Sequence, residues 1–147
     1  MPQQNGLAEV LNRIIVQRVR CMLYEARLTT SFWTNAVCTA IYLINHSPTT
    51  RLSSSTPYKV WNGCKPSLKY LKPFGCPAYA LVLPKGKKLD SQTRKCKFIG
   101  YKEQTKAYRL WDPTTRQQVI SRNIIFDKCL DPPTPPAPQP DVREFFL

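Results

Sequence analysis

Nine acidic residues, one histidine and six cysteines are the groups in this 147-residue chain that could hold a metal or move protons, and their spacing decides what they can do. Glu9, Glu25, Asp90, Glu103, Asp112, Asp127 and Asp131 form no spaced pair suited to two metals or to paired acid and base work. Glu9 stands alone on a helical pattern, where a carboxylate is ordinarily a solvated surface group. The cysteines at 21, 38, 64, 76, 96 and 129 contain no Cys-x-x-Cys pair, and His46 is isolated in an apolar context, so a zinc site is not expected. Free thiols are the expectation, because a disulfide framework needs an oxidising compartment that nothing else suggests. Nucleophile motifs and glycine-rich phosphate loops are lacking too. Residue chemistry alone describes a protein without a complete active site.

Charge is more telling. The chain has 22 Lys plus Arg against 9 Asp plus Glu, a formal net charge of +13. Residues 64–131 hold fifteen basic and five acidic groups, whereas residues 1–63 hold six and two. A basic segment interleaved with aromatics suits nucleic acid, because neutralising phosphates releases counterions. Lysines that keep strand edges soluble would give the same count. No run approaches the roughly 20 apolar residues of a membrane span. The Met-Pro-Gln-Gln-Asn opening lacks the flanks of a secretory signal. An intracellular protein, nuclear or cytoplasmic, without membrane or small-molecule partners is the expectation.

The elements that position these groups fall into two periodicities. Leu7, Leu11, Ile14, Ile15, Val19, Met22 and Leu23 recur at steps of three and four, the stripe of an amphipathic helix capped by Asn5 or Gly6. A second helix runs from Thr29-Thr30-Ser31 to about Asn45, burying Phe32, Trp33, Ala36, Val37, Ala40, Ile41 and Ile44 against the first. Thr56-Pro57 opens a short third helix that Asn62-Gly63 closes. Beyond Pro66 the period shortens. Ala78 to Leu83, Cys96 to Tyr101, Ala107 to Trp111 and Gln118 to Phe126 read as strands, with a turn at Asp112-Pro113-Thr114-Thr115. Six of the 14 prolines fall between Pro132 and Pro140, the composition of an extended linker.

Taken in order, Pro2-Gln3-Gln4-Asn5-Gly6-Leu7-Ala8-Glu9, Asn12-Arg13, Phe32-Trp33, Tyr42-Leu43-Ile44-Asn45, Thr56-Pro57-Tyr58 and Trp61-Asn62-Gly63 resemble the end of the integrase core of copia-type long-terminal-repeat retrotransposons. The resemblance continues through Phe74-Gly75-Cys76, Lys88-Leu89-Asp90, Phe98-Ile99-Gly100-Tyr101, Tyr108-Arg109-Leu110 and Ser121-Arg122-Asn123-Ile124-Ile125-Phe126-Asp127, which look like the SH3-like module of the same polyproteins. It implies an α+β chain: helices of a ribonuclease-H-like core over 1–63, a small antiparallel SH3-like β-barrel over 64–130, and a disordered Pro-rich tail over 131–147.

In that family two Asp and one Glu hold two Mg2+ or Mn2+ ions that drive strand transfer. The motif match assigns the Glu to Glu9, as a metal ligand that is inactive without both Asp residues; no cofactor is expected in this chain. Three positions depart from the family: Val10 where a basic residue usually follows the Glu, Met1 in place of Thr or Ser, and Cys64 in place of a polar or basic residue. A truncated, non-catalytic integrase fragment is therefore expected. Residual DNA binding would fall to Arg13, Arg20, Lys85, Lys87, Lys88, Arg94, Lys95 and Lys97. The competing reading is a protein-interaction module built on the SH3-like domain, with the Pro132–Pro140 run as ligand for a protein partner. In either case the helical half is expected to be the less stable, because its first helix has only a short hairpin to pack against.

Overall fold

The computed structural model describes residues 2–81 and 93–127. Three helices precede one sheet: α1 (Pro2–Ala26), α2 (Trp33–Asn45), α3 (Pro57–Asn62), then β1 (Pro77–Leu81), β2 (Thr93–Lys102), β3 (Ala107–Asp112), β4 (Gln117–Ser121) and β5 (Ile124–Phe126). The sheet is antiparallel in the order β4-β3-β2-β1-β5. This is the α+β layout expected from the two periodicities. The Pro-rich run lies outside the described residues. No helix among the described residues is long and apolar enough to cross a membrane.

Several element ends shift from the sequence expectation, α2 starting at Trp33 after a 3-10 turn and β2 starting three residues early at Thr93, and two differences go further. The first helix begins at Pro2, not after Asn5 or Gly6. Proline suits the first turn because its missing N–H would have had no partner there, and the helix tolerates Gly6 behind it. The run from Gln118 to Phe126 is two strands, not one. Arg122 and Asn123 interrupt it, and β4 and β5 end on opposite edges of the sheet. The third helix forms as its signals indicate: the Lys59 amide donates to Thr56 Oγ1 at 3.1 Å, and Gly63 ends it at φ 75°.

Burial along α1 is uneven. Val19, Leu23 and Ala26 are buried with Ala36 and Ala40 of α2, whereas Leu7 and Leu11 are 62% and 46% exposed. The helix ends with Arg27 at φ 51°, and the Leu28 amide bonds the Leu23 carbonyl across it at 3.1 Å, satisfying a carbonyl left over at the terminus. In α2, Trp33 and Ile41 are exposed, contrary to the expected burial against α1, because the helix turns its small face to two neighbours at once. Ala36 and Ala40 meet α1, and Thr39 meets β2, donating to Asn35 O at 2.8 Å and Ile99 O at 3.3 Å. Helices and sheet therefore pack across the boundary expected near residue 63.

The second core lies within the sheet, where Ala78, Ala80, Cys96, Phe98, Tyr108 and Leu110 cluster. The β2–β3 register shifts between Phe98 and Gly100, which turns Tyr101 onto the same face as Phe98. Tyr101 Oη accepts from the Lys72 amide at 2.9 Å and donates to the Lys72 carbonyl at 3.2 Å; Tyr108 Oη donates to Tyr70 O at 3.1 Å. Those bonds fasten the 68–76 connection to the sheet. Gly75 is fixed twice, by a φ of 77° and by contact with Ala26, where a Cβ would collide with the Ala26 Cα and Cβ.

Two outcomes are expected. Gly75→Ala should cost about 2–4 kcal/mol in urea unfolding, since left-handed strain and overpacking add; a loss within experimental error would contradict this packing. Native-state hydrogen exchange should be fast over residues 5–14 and slow over 36–44, as in β2 and β3. Uniform protection along α1 would show that its exposed half is stabilised by something other than these contacts.

Candidate nucleic-acid interface

Glu9 and Arg13 occupy successive exposed turns of α1, and Arg20, also exposed, lies two turns further on. Among the described residues no group of three or more His, Cys, Asp or Glu could hold a metal ion. Lys85, Lys87 and Lys88 lie outside the described residues. The remaining three candidates all come from β2, and strand alternation separates them. Arg94 shares the face of Cys96 and Phe98, and its Nη1 is 3.5 Å from Asp112 Oδ2. Lys95 and Lys97 face the other way. Lys97 Nζ donates to the Ala26 carbonyl at 3.2 Å, a cation at the C-terminal end of α1 where the helix dipole favours it. Lys95 is exposed opposite Tyr79. Two of these three candidates thus have intramolecular partners, which a count of charges does not show.

Asp112 is the reason Arg94 sits where it does. Its side chain is buried, accepting the Thr114 amide at 2.9 Å and the Thr115 amide at 3.4 Å in the β3–β4 turn. Burial pushes the carboxyl up, but the Thr114 and Thr115 hydrogen bonds and Arg94 outweigh it and hold the group below its ordinary value.

A concave region missed in the sequence lies between α2 and the β2–β3 end of the sheet. This cleft, of ≈ 390 Å³, has Asn35, Cys38 and Tyr42 on the helix side, Gly100 and Lys102 from β2, Glu103 and Gln104 from the turn, and Arg109 from β3. The only hint of it was a polar Arg109 flanked by Tyr108 and Leu110, both of which point into the core. An aromatic column stiffens its wall. Tyr101 stacks on Tyr42 at 4.2 Å, Tyr42 on His46 at 3.9 Å, and His46 reaches Tyr58 at 4.7 Å, so the lone histidine is a stacked, mostly buried group bonded through Nδ1 to Tyr42 O. Burial, then the Glu103 carboxylate and the Tyr58 and Tyr108 hydroxyls, push the Tyr42 phenol up. Burial likewise pushes Tyr101 up to about 12.

Over 127 residues, 85% of its length, the chain is 48% identical to the retrovirus-related Pol polyprotein from transposon TNT 1-94 of Nicotiana tabacum. Residues 76–140 match the retroviral polymerase SH3-like domain. The chain belongs with the retrotransposon Pol polyproteins. A second Pol relative, from transposon RE1 of Arabidopsis thaliana, is 35% identical over 128 residues, 86% of the chain. The chain spans 10% of the first relative's length and 9% of the second's. No solved structure matches it. In this Pol segment the SH3-like match covers all five strands of the sheet and includes Arg94, Lys95, Lys97, Lys102 and Arg109.

The Asp112 turn gives a pH dependence whose sign is fixed. A carboxylate held below its unfolded value contributes stability above the unfolded pKa, near ~3.9, and loses it as pH falls through the folded one. Urea midpoints of the wild type should therefore drop between about pH 5 and about pH 2, whereas Asp112→Asn should be less stable at neutral pH and flatter across that range. Parallel curves for the two proteins would remove Asp112 from the account.

Proposed function

We propose that this Pol segment holds nucleic acid during DNA integration and performs no phosphodiester chemistry by itself. The observation that carries the reading is the excess of fifteen basic over five acidic groups in residues 64–131, which hold most of the SH3-like match over 76–140. Strand transfer needs several carboxylates to fix two metal ions about 4 Å apart. The surroundings of Glu9 do not fit that task, because it stands exposed on one helix with no clustered ligands among the described residues. An integrase-derived segment, with Glu9 on the helix that carries one of the family's three carboxylates, is the form this reading takes.

The contacts follow from which cations are unengaged. Lys95 on β2 and Arg13 on α1 are exposed and point to solvent, whereas Arg94 and Lys97 are tied into the fold. Binding through such groups is electrostatic and independent of base sequence. Fluorescence anisotropy with two duplexes of unrelated sequence should give equal affinities that fall at least about tenfold between about 50 and 200 mM salt. Lys95→Glu should weaken both equally and reduce the salt dependence. Absent binding, or affinity indifferent to salt, would overturn the reading.

A further inference from the structure

Arg109 is the one side chain of the cleft whose chemistry the fold leaves incomplete. Its Nε is buried and has no hydrogen-bond partner, although a guanidinium stays charged at any physiological pH and an unsatisfied buried donor is costly. The arm is held by the close packing of the site: Arg109 pairs in register with Gly100, and a Cβ on Gly100 would lie 3.9 Å from Arg109 Cδ and 3.3 Å from Thr39 Oγ1. Glycine there gives the Thr39 hydroxyl room, while the Arg109 arm passes at ordinary contact distance. Lys102, two residues along β2, brings a second cation into the same cleft.

We propose that this cleft is a phosphate subsite for a nucleic-acid strand, with the Arg109 guanidinium as the fork that grips the phosphate oxygens and Lys102 as the supporting charge. Arginine matches phosphate geometry with paired N–H donors, and a phosphate that displaced the lining side chains enough to reach the buried Nε would supply the acceptor it lacks. The volume of ≈ 390 Å³ admits a phosphate with its adjoining sugar. The Tyr101–Tyr42–His46 column and the β2–β3 pairing define the two faces of the cleft. Glu103 lines the same cleft and opposes an anion there. Its removal should therefore strengthen binding, a sign that a merely structural role for the cleft does not predict. The subsite rests on the nucleic-acid reading above for the identity of its ligand.

The test uses the full chain, a short single-stranded oligonucleotide of arbitrary sequence, and inorganic phosphate as a separate probe. Arg109→Gln should lower oligonucleotide affinity about tenfold and reduce the salt slope by about 1, Arg109→Lys should restore part of it, and Glu103→Gln should tighten binding two- to threefold. In proton–nitrogen NMR spectra of the wild type, the Arg109 Nε–H resonance should shift on addition of either probe. If the chain binds no nucleic acid yet phosphate still moves that resonance, the subsite stands and the wider reading fails. If the oligonucleotide binds with unchanged affinity to folded Arg109→Gln and Glu103→Gln, and the Nε–H resonance is indifferent to both probes, the subsite is overturned while the wider reading survives.

Discussion

The structure depends on how closely α2 approaches β2. Thr39, Ala36 and Ala40 are almost fully buried, and the Thr39 hydroxyl bridges its own helix, at Asn35 O, to the sheet, at Ile99 O. The approach is possible because Gly100 offers no side chain below the hydroxyl. A larger residue at Ala36 or Ala40 would instead force α2 away from α1, at a cost of about 1–3 kcal/mol, since close-packed interiors give little. Everything else at the junction follows from that distance: the Phe32 ring set edge-on to Trp111 at 5.0 Å, the Tyr42–Tyr101 stack, and the walls of the cleft.

From this contact the two cores become one cooperative object. Phe74 packs with the helical cluster, while its neighbours Gly75 and Cys76 exchange backbone hydrogen bonds with Phe98 at 2.7 and 3.0 Å. A three-residue stretch thus belongs to both cores. The tyrosine hydroxyls on Lys72 and Tyr70 provide polar partners for backbone that would otherwise be partly buried and unsatisfied. The SH3-like sheet is consequently not packed as a bead on a string after the helices; its outer face meets them through Thr39 on Ile99 and Phe32 on Trp111.

Local signals were legible in the sequence wherever chemistry is local. Thr56-Pro57 and Gly63 bound α3 as caps do, and Asp112-Pro113-Thr114-Thr115 forms its turn through the Asp112 carboxylate. What stayed hidden was set by tertiary contact. The exposure of Trp33 and Ile41 follows from α2 serving two partners, a choice that periodicity cannot encode. The break at Arg122 and Asn123 follows from β5 pairing with β1, more than forty residues earlier in the chain. Arg109 looked like one more strand cation among many, because the burial of its Nε is a tertiary property that strand alternation does not encode.

Basic charge in this chain therefore has to be sorted by partner before it is given a function. Arg94 neutralises a buried carboxylate, Lys97 caps a helix, and Lys72 lies 5.1 Å over the Phe126 ring, all uses that consume a cation within the fold. Those positions are expected to be retained for stability whether or not nucleic acid is ever bound. Lys95 and Arg13 differ in being exposed, and Arg109 differs again, in being drawn into a cleft without a complete set of acceptors. An exposed lysine is accounted for by solubility alone, whereas a buried donor without an acceptor costs free energy and is not. The charge excess thus motivates nucleic acid as the ligand, whereas one arginine that the charge count could not distinguish gives the physical argument for where a phosphate would sit.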